Sequence, residues 1–393
     1  MPAAAILVAV TACSSSSSSQ TTNAGSGGGS GSGQCSNIPA GPITLANILP
    51  LSGPQAQPGN AQSATDESAV QIFNKNETIC GHSVVLENLN DKGDPATALT
   101  LARQIISENH DLMLNDSFGQ TQDAIHPYLM KNHVVVYSNL SPLELVNQPN
   151  NPTTFSTGPS SAQYATAMVQ YAKSHNENNL GIIQDGTPFG IELAGLLKTA
   201  AQKEGLTLKS TQAYSPTAVD LTAPLTTLRQ AGVQTLLISS FSGMLALVSG
   251  LKQIGWSPAV VSWGVFNSYG ISGAQLPPNT VDLCYVAYSP QLLTPLNVEM
   301  MKAQQGRTGA NSQIEGVLLP YASLLVYKQA IEAANSLDGA KVAAQIENLT
   351  NFPTNIPGLN FTYTADNHWG YPSSAIKFCH LKYEQYYLLQ PAP

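Results

Sequence analysis

Apolar positions along this chain fall into short continuous runs separated by longer stretches in which they recur every three or four residues, and the two patterns alternate over most of its length. The stretch 43–74 sets the theme. Residues 43–49 form an apolar run, Pro50, Ser52, Gly53 and Pro54 break it with turn formers, and Ala61, Ala64, Thr65, Ser68, Ala69, Ile72 and Phe73 then share one helical face. This predicts strand, loop, helix. Further strands are expected at 82–88, 111–115 and 134–137. Between them, one helix starts at Asp94-Pro95, a capping carboxylate followed by proline at the first helical position, and another covers 121–131. Such alternation predicts a parallel sheet with helices on both faces.

An asparagine- and proline-rich stretch, 145–161, reads as a crossing, after which the alternation resumes. Helices are predicted at 162–174, 190–204, 221–231 and 244–254, and strands at 180–184, 207–213, 235–239 and 259–262. Gly205, Gly232 and Gly255 stand where left-handed helix caps are needed. Residues 280–288 would cross back, and helices beginning near 297, 315 and 340 bring no strong strand, so they complete the first lobe. The fold class expected is α/β, two doubly wound parallel-sheet lobes joined by a multi-strand hinge. The first lobe takes 42–158 and 288–358, and the second lobe with the hinge strands takes 159–287 and 359–393.

Composition sharpens this picture at the amino terminus. Residues 1–13 are small and apolar and end in Val-Thr-Ala-Cys13, followed by a run of serines; the run is too short to span a bilayer and fits a signal peptide. The tetrapeptide resembles a bacterial lipobox, which makes Cys13 the expected lipidation site; no Lys or Arg precedes the run, so the true start is expected upstream. The Ser/Gly-rich segment 14–41 then serves as a flexible tether. Only 10% of residues are charged and the net charge is -8, with no basic cluster, which argues against a nucleic-acid partner. Cys35, Cys80, Cys284 and Cys379 remain, an even number in an exported chain. Three connectivities are open, as are free thiols. Cys35 with Cys80 is favoured because each shortly precedes a strand of the same parallel sheet, which leaves Cys284 and Cys379.

The stretches LPLSGPQAQPG, DKGDPATALTLARQII, GIIQDGTPFGIELAGLLKTAAQKEG, YSPTAVDLTAPLTTLRQAGVQTLLIS and LPYASLLVYKQAIEAANSLDG occur in the order and spacing of a known family. Over residues 43–383 the chain resembles the type I periplasmic binding proteins that bind leucine, isoleucine and valine for ABC transporters. The resemblance implies two lobes closing on a small solute and presenting it to permease and ATPase subunits. It also implies a monomer held outside the cell membrane by a lipid anchor, with no cofactor and no enzymatic activity. A sensory protein reporting its solute to a membrane receptor is the alternative. The strand-end loops 50–59, 116–121 and 138–141 would face 185–189, 240–243 and 263–269 across a cleft.

On the family's pattern, Ser141 supplies a hydroxyl and Asn139 a backbone carbonyl to the ligand. Gly119 replaces a ligand-binding serine, with Gln120 and Thr121 beside it, and Pro58 replaces a covering aromatic residue. The segment WGVFNSYG lacks the acid that would partner an α-ammonium group; Asp185, or Asp116, is expected to substitute, since a buried ammonium without a carboxylate is costly. Otherwise the solute is uncharged or anionic, with Phe118, Phe189, Phe241, Trp263 and Phe266 as walls. Ser52 completes the polar set. The seven histidines are scattered without metal-ligand spacing, His126 and His133 are expected to face solvent, and no nucleophile elbow or phosphate loop occurs.

Overall fold

The computed structural model describes residues 35–53, 55–138, 151–269, 271, 273–284, 290–304, 314–380 and 390–391. The first lobe begins with β1 (Ile43–Leu49), α1 (Ala56–Asn76), β2 (Val84–Asn90), α2 (Pro95–Ser107), β3 (Leu112–Asp116), α3 (Gly119–Lys131), β4 (Val135–Ser138) and β5 (Thr154–Ser156). Its strands lie in the order β2-β1-β3-β4-β5, every pair parallel. Side chains alternate across this sheet, as the pleat requires. Ile43, Leu45, Leu112, Leu114, Val135 and Tyr137 point to one face, where Phe73 of α1 is buried. Ala46, Ile48, Met113 and Val136 point to the other, against Ala98, Ala102 and Ile105 of α2 and Ile125 and Leu129 of α3. Local chemistry fixes the helix starts: the Asp94 carboxylate accepts the Thr97 N–H at 2.8 Å with Pro95 in the first turn.

The second lobe runs α4 (Ser161–Ser174), β6 (Asn179–Asp185), α5 (Pro188–Glu204), β7 (Thr207–Tyr214), α6 (Thr222–Gln230), β8 (Thr235–Ser239), α7 (Met244–Gln253), β9 (Ala259–Ser262), α8 (Val265–Ser268) and β10 (Thr280–Cys284). The glycines after α5, α6 and α7 take positive φ, 73°, 77° and 58° at Gly205, Gly232 and Gly255. The chain then forms α9 (Pro295–Gln304), α10 (Ile314–Ala334), α11 (Gly339–Ile346), β11 (Phe352–Pro353), β12 (Asn360–Phe361), β13 (Lys377–His380) and β14 (Gln390–Pro391). The second sheet has the order β14-β13-β10-β9-β8-β6-β7; it is parallel from β10 to β7, and β13 and β14 join antiparallel.

Helices α9, α10 and α11 bury Met300, Met301, Leu318, Tyr327, Ile331, Val342 and Ile346 in the first lobe's core. The following segment departs from expectation. Leu359, Phe361, Tyr363 and Tyr371 stay in that same core, where the Tyr363 hydroxyl meets the Tyr137 hydroxyl and its ring stands edge-on to Phe155, 5.8 Å between centroids. Large aromatic faces pack best on the aromatic end of β4 and β5, so the return to the second lobe comes only at Phe378. Two crossing segments run side by side: Ser156 N–H donates to the His368 carbonyl at 3.0 Å and Gly370 N–H to the Ser156 carbonyl at 3.1 Å.

Two disulfides form, Cys35–Cys80 and Cys284–Cys379. The second clips β10 to β13, whose register sets Cys284 opposite Lys377.

Candidate functional site

In a doubly wound sheet the carboxyl ends of the strands carry the ligand-facing loops. In the second lobe, β6 ends at Asp185, which is fully buried. One carboxylate oxygen accepts the Thr187 hydroxyl at 2.5 Å and the Thr187 N–H at 3.3 Å; the other accepts the N–H groups of Phe241 and Ser242 at 2.9 and 2.7 Å. A carboxylate has about four acceptor positions, and all four are occupied from within the lobe. Asp185 therefore ties the start of α5 to the loop after β8, and the expectation that it partners an ammonium group gives way to this structural role.

The clamp positions an aromatic shelf. Phe241, 37% exposed, stacks on Trp263 with centroids 6.0 Å apart and an interplanar angle of 19°. Phe189 meets the buried Trp263 ring edge-on at 4.7 Å, Tyr164 lies 5.7 Å away, and the indole N–H donates to the Ser240 carbonyl at 3.1 Å. Phe189 and Trp263 are thus the foundation and Phe241 the open surface. Phe266 is wholly buried in the second lobe's core and is not a wall. Two tyrosines that the sequence did not single out stand nearby. Tyr214 donates to the Ser242 carbonyl at 2.5 Å, and Tyr269 is 37% exposed. Burial, and then the Asp185 charge, push the Tyr269 phenol up.

In the first lobe, Asn90 organises the loop after β1. Its carbonyl oxygen accepts Leu51 N–H at 3.0 Å and its amide donates to the Ser52 hydroxyl at 3.0 Å, which leaves Ser52 exposed at the rim. Gly59 lets α1 approach this loop, since a Cβ there would meet the Pro50 carbonyl oxygen at 2.2 Å. Asp116, at the end of β3, is fully buried. It accepts Gln122 Nε2 at 2.7 Å and lies 2.7 Å from His126 Nδ1, while His126 Nε2 is 3.1 Å from the Thr154 hydroxyl. This corrects two expectations: Asp116 is committed within its lobe, and His126, 2% exposed, faces inward because α3 turns it toward β3 and β5. Thr121 is buried in the first turn of α3; Phe118 is half-buried at its N-cap, and no side chain caps that helix. Cys13, Asn139, Ser141 and the Gln120 side chain lie outside the described residues. Glu87, Glu108 and His110 gather three ligand-type atoms on the outer edge of this lobe, where His110 Nδ1 lies 3.0 Å from Glu87, an ion-pair distance.

Beneath the first lobe's strand ends lies a buried carboxyl, Asp66 of α1, which accepts Asn47 Nδ2 at 3.0 Å, Asn115 Nδ2 at 2.9 Å and Gln62 Nε2 at 2.8 Å. Burial raises its pKa to about 7 against the lowering effect of these amides. The folded state thus binds this proton more tightly than the unfolded chain. The resulting stabilisation is complete below pH 4 and is lost as pH rises through about 7, at about 1.4 kcal/mol per pH unit across that window. Asp66→Asn, with Gln62 turning its amide over to accept, is expected to flatten this slope in urea unfolding measured from pH 4 to 8. An unchanged slope would assign the dependence to other groups.

With this geometry in view, the comparisons with known proteins are direct. The sequence profile of the family described as "Periplasmic binding protein" matches residues 42–378. Leu/Ile/Val-binding protein homolog 3 of Brucella melitensis biotype 1 is 25% identical over 331 residues, covering 82% of this chain and 88% of that protein. A leucine-, isoleucine-, valine-, threonine- and alanine-binding protein of Pseudomonas aeruginosa is 21% identical, covering 82% and 87%. Among solved structures, a type 1 periplasmic binding protein from Bordetella pertussis Tohama I superposes with a TM-score of 0.73 at 19% identity, over 89% of this chain and all of that one. A branched chain amino acid ABC transporter protein from Thermus thermophilus, solved with bound valine, gives 0.72 at 15% identity over 90% and 96%. The family is extracytoplasmic and its members bind solutes rather than transform them. Among the described residues no helix is long and apolar enough to cross a membrane. Two lobes built on parallel sheets, paired crossing segments and a profile spanning both lobes lead to one conclusion: this chain belongs to the periplasmic binding protein family and has the fold of its type I members.

Proposed function

We propose that this chain is the solute-binding component of an ABC importer. It captures a small organic solute, amino-acid-like or aromatic or amide in character, between the strand ends of its two lobes and delivers it to a membrane permease. The observation that carries this reading is the arrangement of two separately packed cores joined by side-by-side crossing segments at Ser156 and Trp369. Such a joint permits hinge closure without unpacking either core. The first lobe contributes Ser52, Thr121 and the uncapped amides of α3, together with Gln120, Asn139 and Ser141; the second contributes the Phe241 shelf and the uncapped start of α7. The chain works as a monomer, held to the outer face of the membrane by a lipid on Cys13; a Cys13→Ser chain recovered in the soluble fraction would support that anchor, and one that stays in the membrane fraction would remove it.

The test is reconstitution of the partner permease and ATPase subunits in vesicles. Solute accumulation and stimulated ATP hydrolysis are expected only when this chain and its solute are both added. A chain that binds solute yet leaves both unchanged would assign it to sensing instead.

A further inference from the structure

The outer edge of the first lobe holds a group of ligand-type side chains away from the strand ends that form the cleft. Edge strand β2 carries Glu87, and α2, which starts beyond the carboxyl end of β2, delivers Glu108 and His110 as the chain leaves it for β3. Asn109 between them takes a positive φ of 59°, a conformation asparagine tolerates, and the His110 N–H secures the reversal by donating to the Ile105 carbonyl at 2.9 Å. One ligand-type atom from each of Glu87, Glu108 and His110 lies within 4.8 Å of the other two.

Two observations separate this group from an ordinary surface ion pair. Glu87 Oε2 and His110 Nδ1 are both shielded from solvent, and neither has a hydrogen-bond partner among the described residues although they stand 3.0 Å apart. Their contact is close without being aligned as a hydrogen bond, the relation of two donor atoms that face a common third. Glu108 is oriented as well. Gln104 Nε2 donates to its Oε1 at 3.2 Å, and its Oε2 lies 3.8 Å from His110 Nδ1. Atoms bound to one tetrahedral zinc at about 2.0–2.1 Å stand about 3.3 Å from each other, a value that the 3.0 and 3.8 Å separations bracket.

We propose that Glu87, Glu108 and His110 bind a divalent transition cation of the zinc class, with water completing its shell, and that the cation pins edge strand β2 to the end of α2. Two carboxylates outnumber the one imidazole, so a cation balances charge that the ion pair alone leaves in excess. A nitrogen among the ligands favours zinc over Mg²⁺ or Ca²⁺, which take oxygen ligands. Glu108 is exposed, which gives the ion a way in. No ligand spacing shows in the sequence because the residues come from separate elements that only the fold brings together.

The full chain, disulfides intact and without a histidine tag, is stripped of metal by a chelator and titrated with zinc chloride by calorimetry. One equivalent is expected to bind and to raise the melting temperature, and Glu87→Gln and His110→Ala are each expected to weaken binding at least about tenfold. Circular dichroism of the metal-free variants separates loss of a ligand from loss of the fold; if either variant fails to fold, Glu108→Gln reads the same ligand set from its exposed side. No binding at millimolar zinc would leave Glu87 and His110 as an ion pair and overturn the site. Full-strength binding in the folded variants would place the metal on other side chains and overturn it equally. Mg²⁺ binding as tightly as zinc would remove His110 from the ligand set.

Discussion

Asp185→Ala is expected to destabilise the protein by roughly 3 to 5 kcal/mol, the scale for leaving several buried hydrogen-bond donors without their acceptor. The carboxylate receives four donors from two loops, and each donor left unsatisfied costs about 1 to 3 kcal/mol. Water relieves part of this at the half-buried Thr187 and Ser242, which keeps the total below the simple sum. The close fit around the group is visible at Gly190, where a Cβ would lie 2.2 Å from an Asp185 oxygen, so no neighbour can slide in to replace it. Asp185→Asn should fall between wild type and alanine, since its amide keeps one acceptor oxygen and turns two hydrogens toward N–H donors. Urea unfolding of the three proteins checks the order. If Asp185→Ala left stability unchanged while abolishing binding of an amino acid, the residue would return to the role of ammonium partner.

Removing the Cys284–Cys379 bridge by a double change to alanine is expected to cost about 4 to 5 kcal/mol, from the chain-entropy cost of closing a loop of 95 residues. That loop leaves the second lobe after β10, builds α9, α10 and α11 in the first lobe, and returns at β13. The bridge therefore closes a circuit through both lobes at the place where they join. Without it, β13 is held by its antiparallel pairing with β10 and β14. Both half-cystines are fully buried, so a reductant should act on the native protein slowly and on the unfolding protein fast. Comparing melting temperatures of wild type and variant, each with and without reductant, tests this; equal values for the oxidised wild type and the variant would show that the bridge contributes nothing. The Cys35–Cys80 bridge closes 45 residues, and the logarithmic dependence makes it less stabilising by under about 1 kcal/mol.

The sequence by itself determined the alternation of strands and helices, their parallel order and the division into two lobes, because these follow from contacts within a few residues. Apolar runs, the Asp94-Pro95 start and the glycines at 205, 232 and 255 need no distant partner to act. The Cys35–Cys80 pairing is favoured by the sequence, since each cysteine shortly precedes a strand of one parallel sheet, whereas Cys284–Cys379 is only what remains and joins the antiparallel strands β10 and β13. What only the tertiary structure decided were the roles of polar and aromatic groups whose partners come from far along the chain. Asp185 reads as a free acid at a loop until Phe241 and Ser242, 56 and 57 residues on, fill its second oxygen. His126 looks like a surface residue until Asp116 and Thr154 enclose it, and Phe266 looks like a wall until the second core closes over it. Residues 359–363 carry a strand-like pattern that predicts a return to the second lobe or the hinge; aromatic packing of Tyr363 against Tyr137 and Phe155 keeps them in the first lobe's core. A hydrophobic period records which face of an element is buried, but whether a carboxylate, an imidazole or a ring meets ligand or protein depends on which remote groups the fold brings within hydrogen-bond or stacking distance.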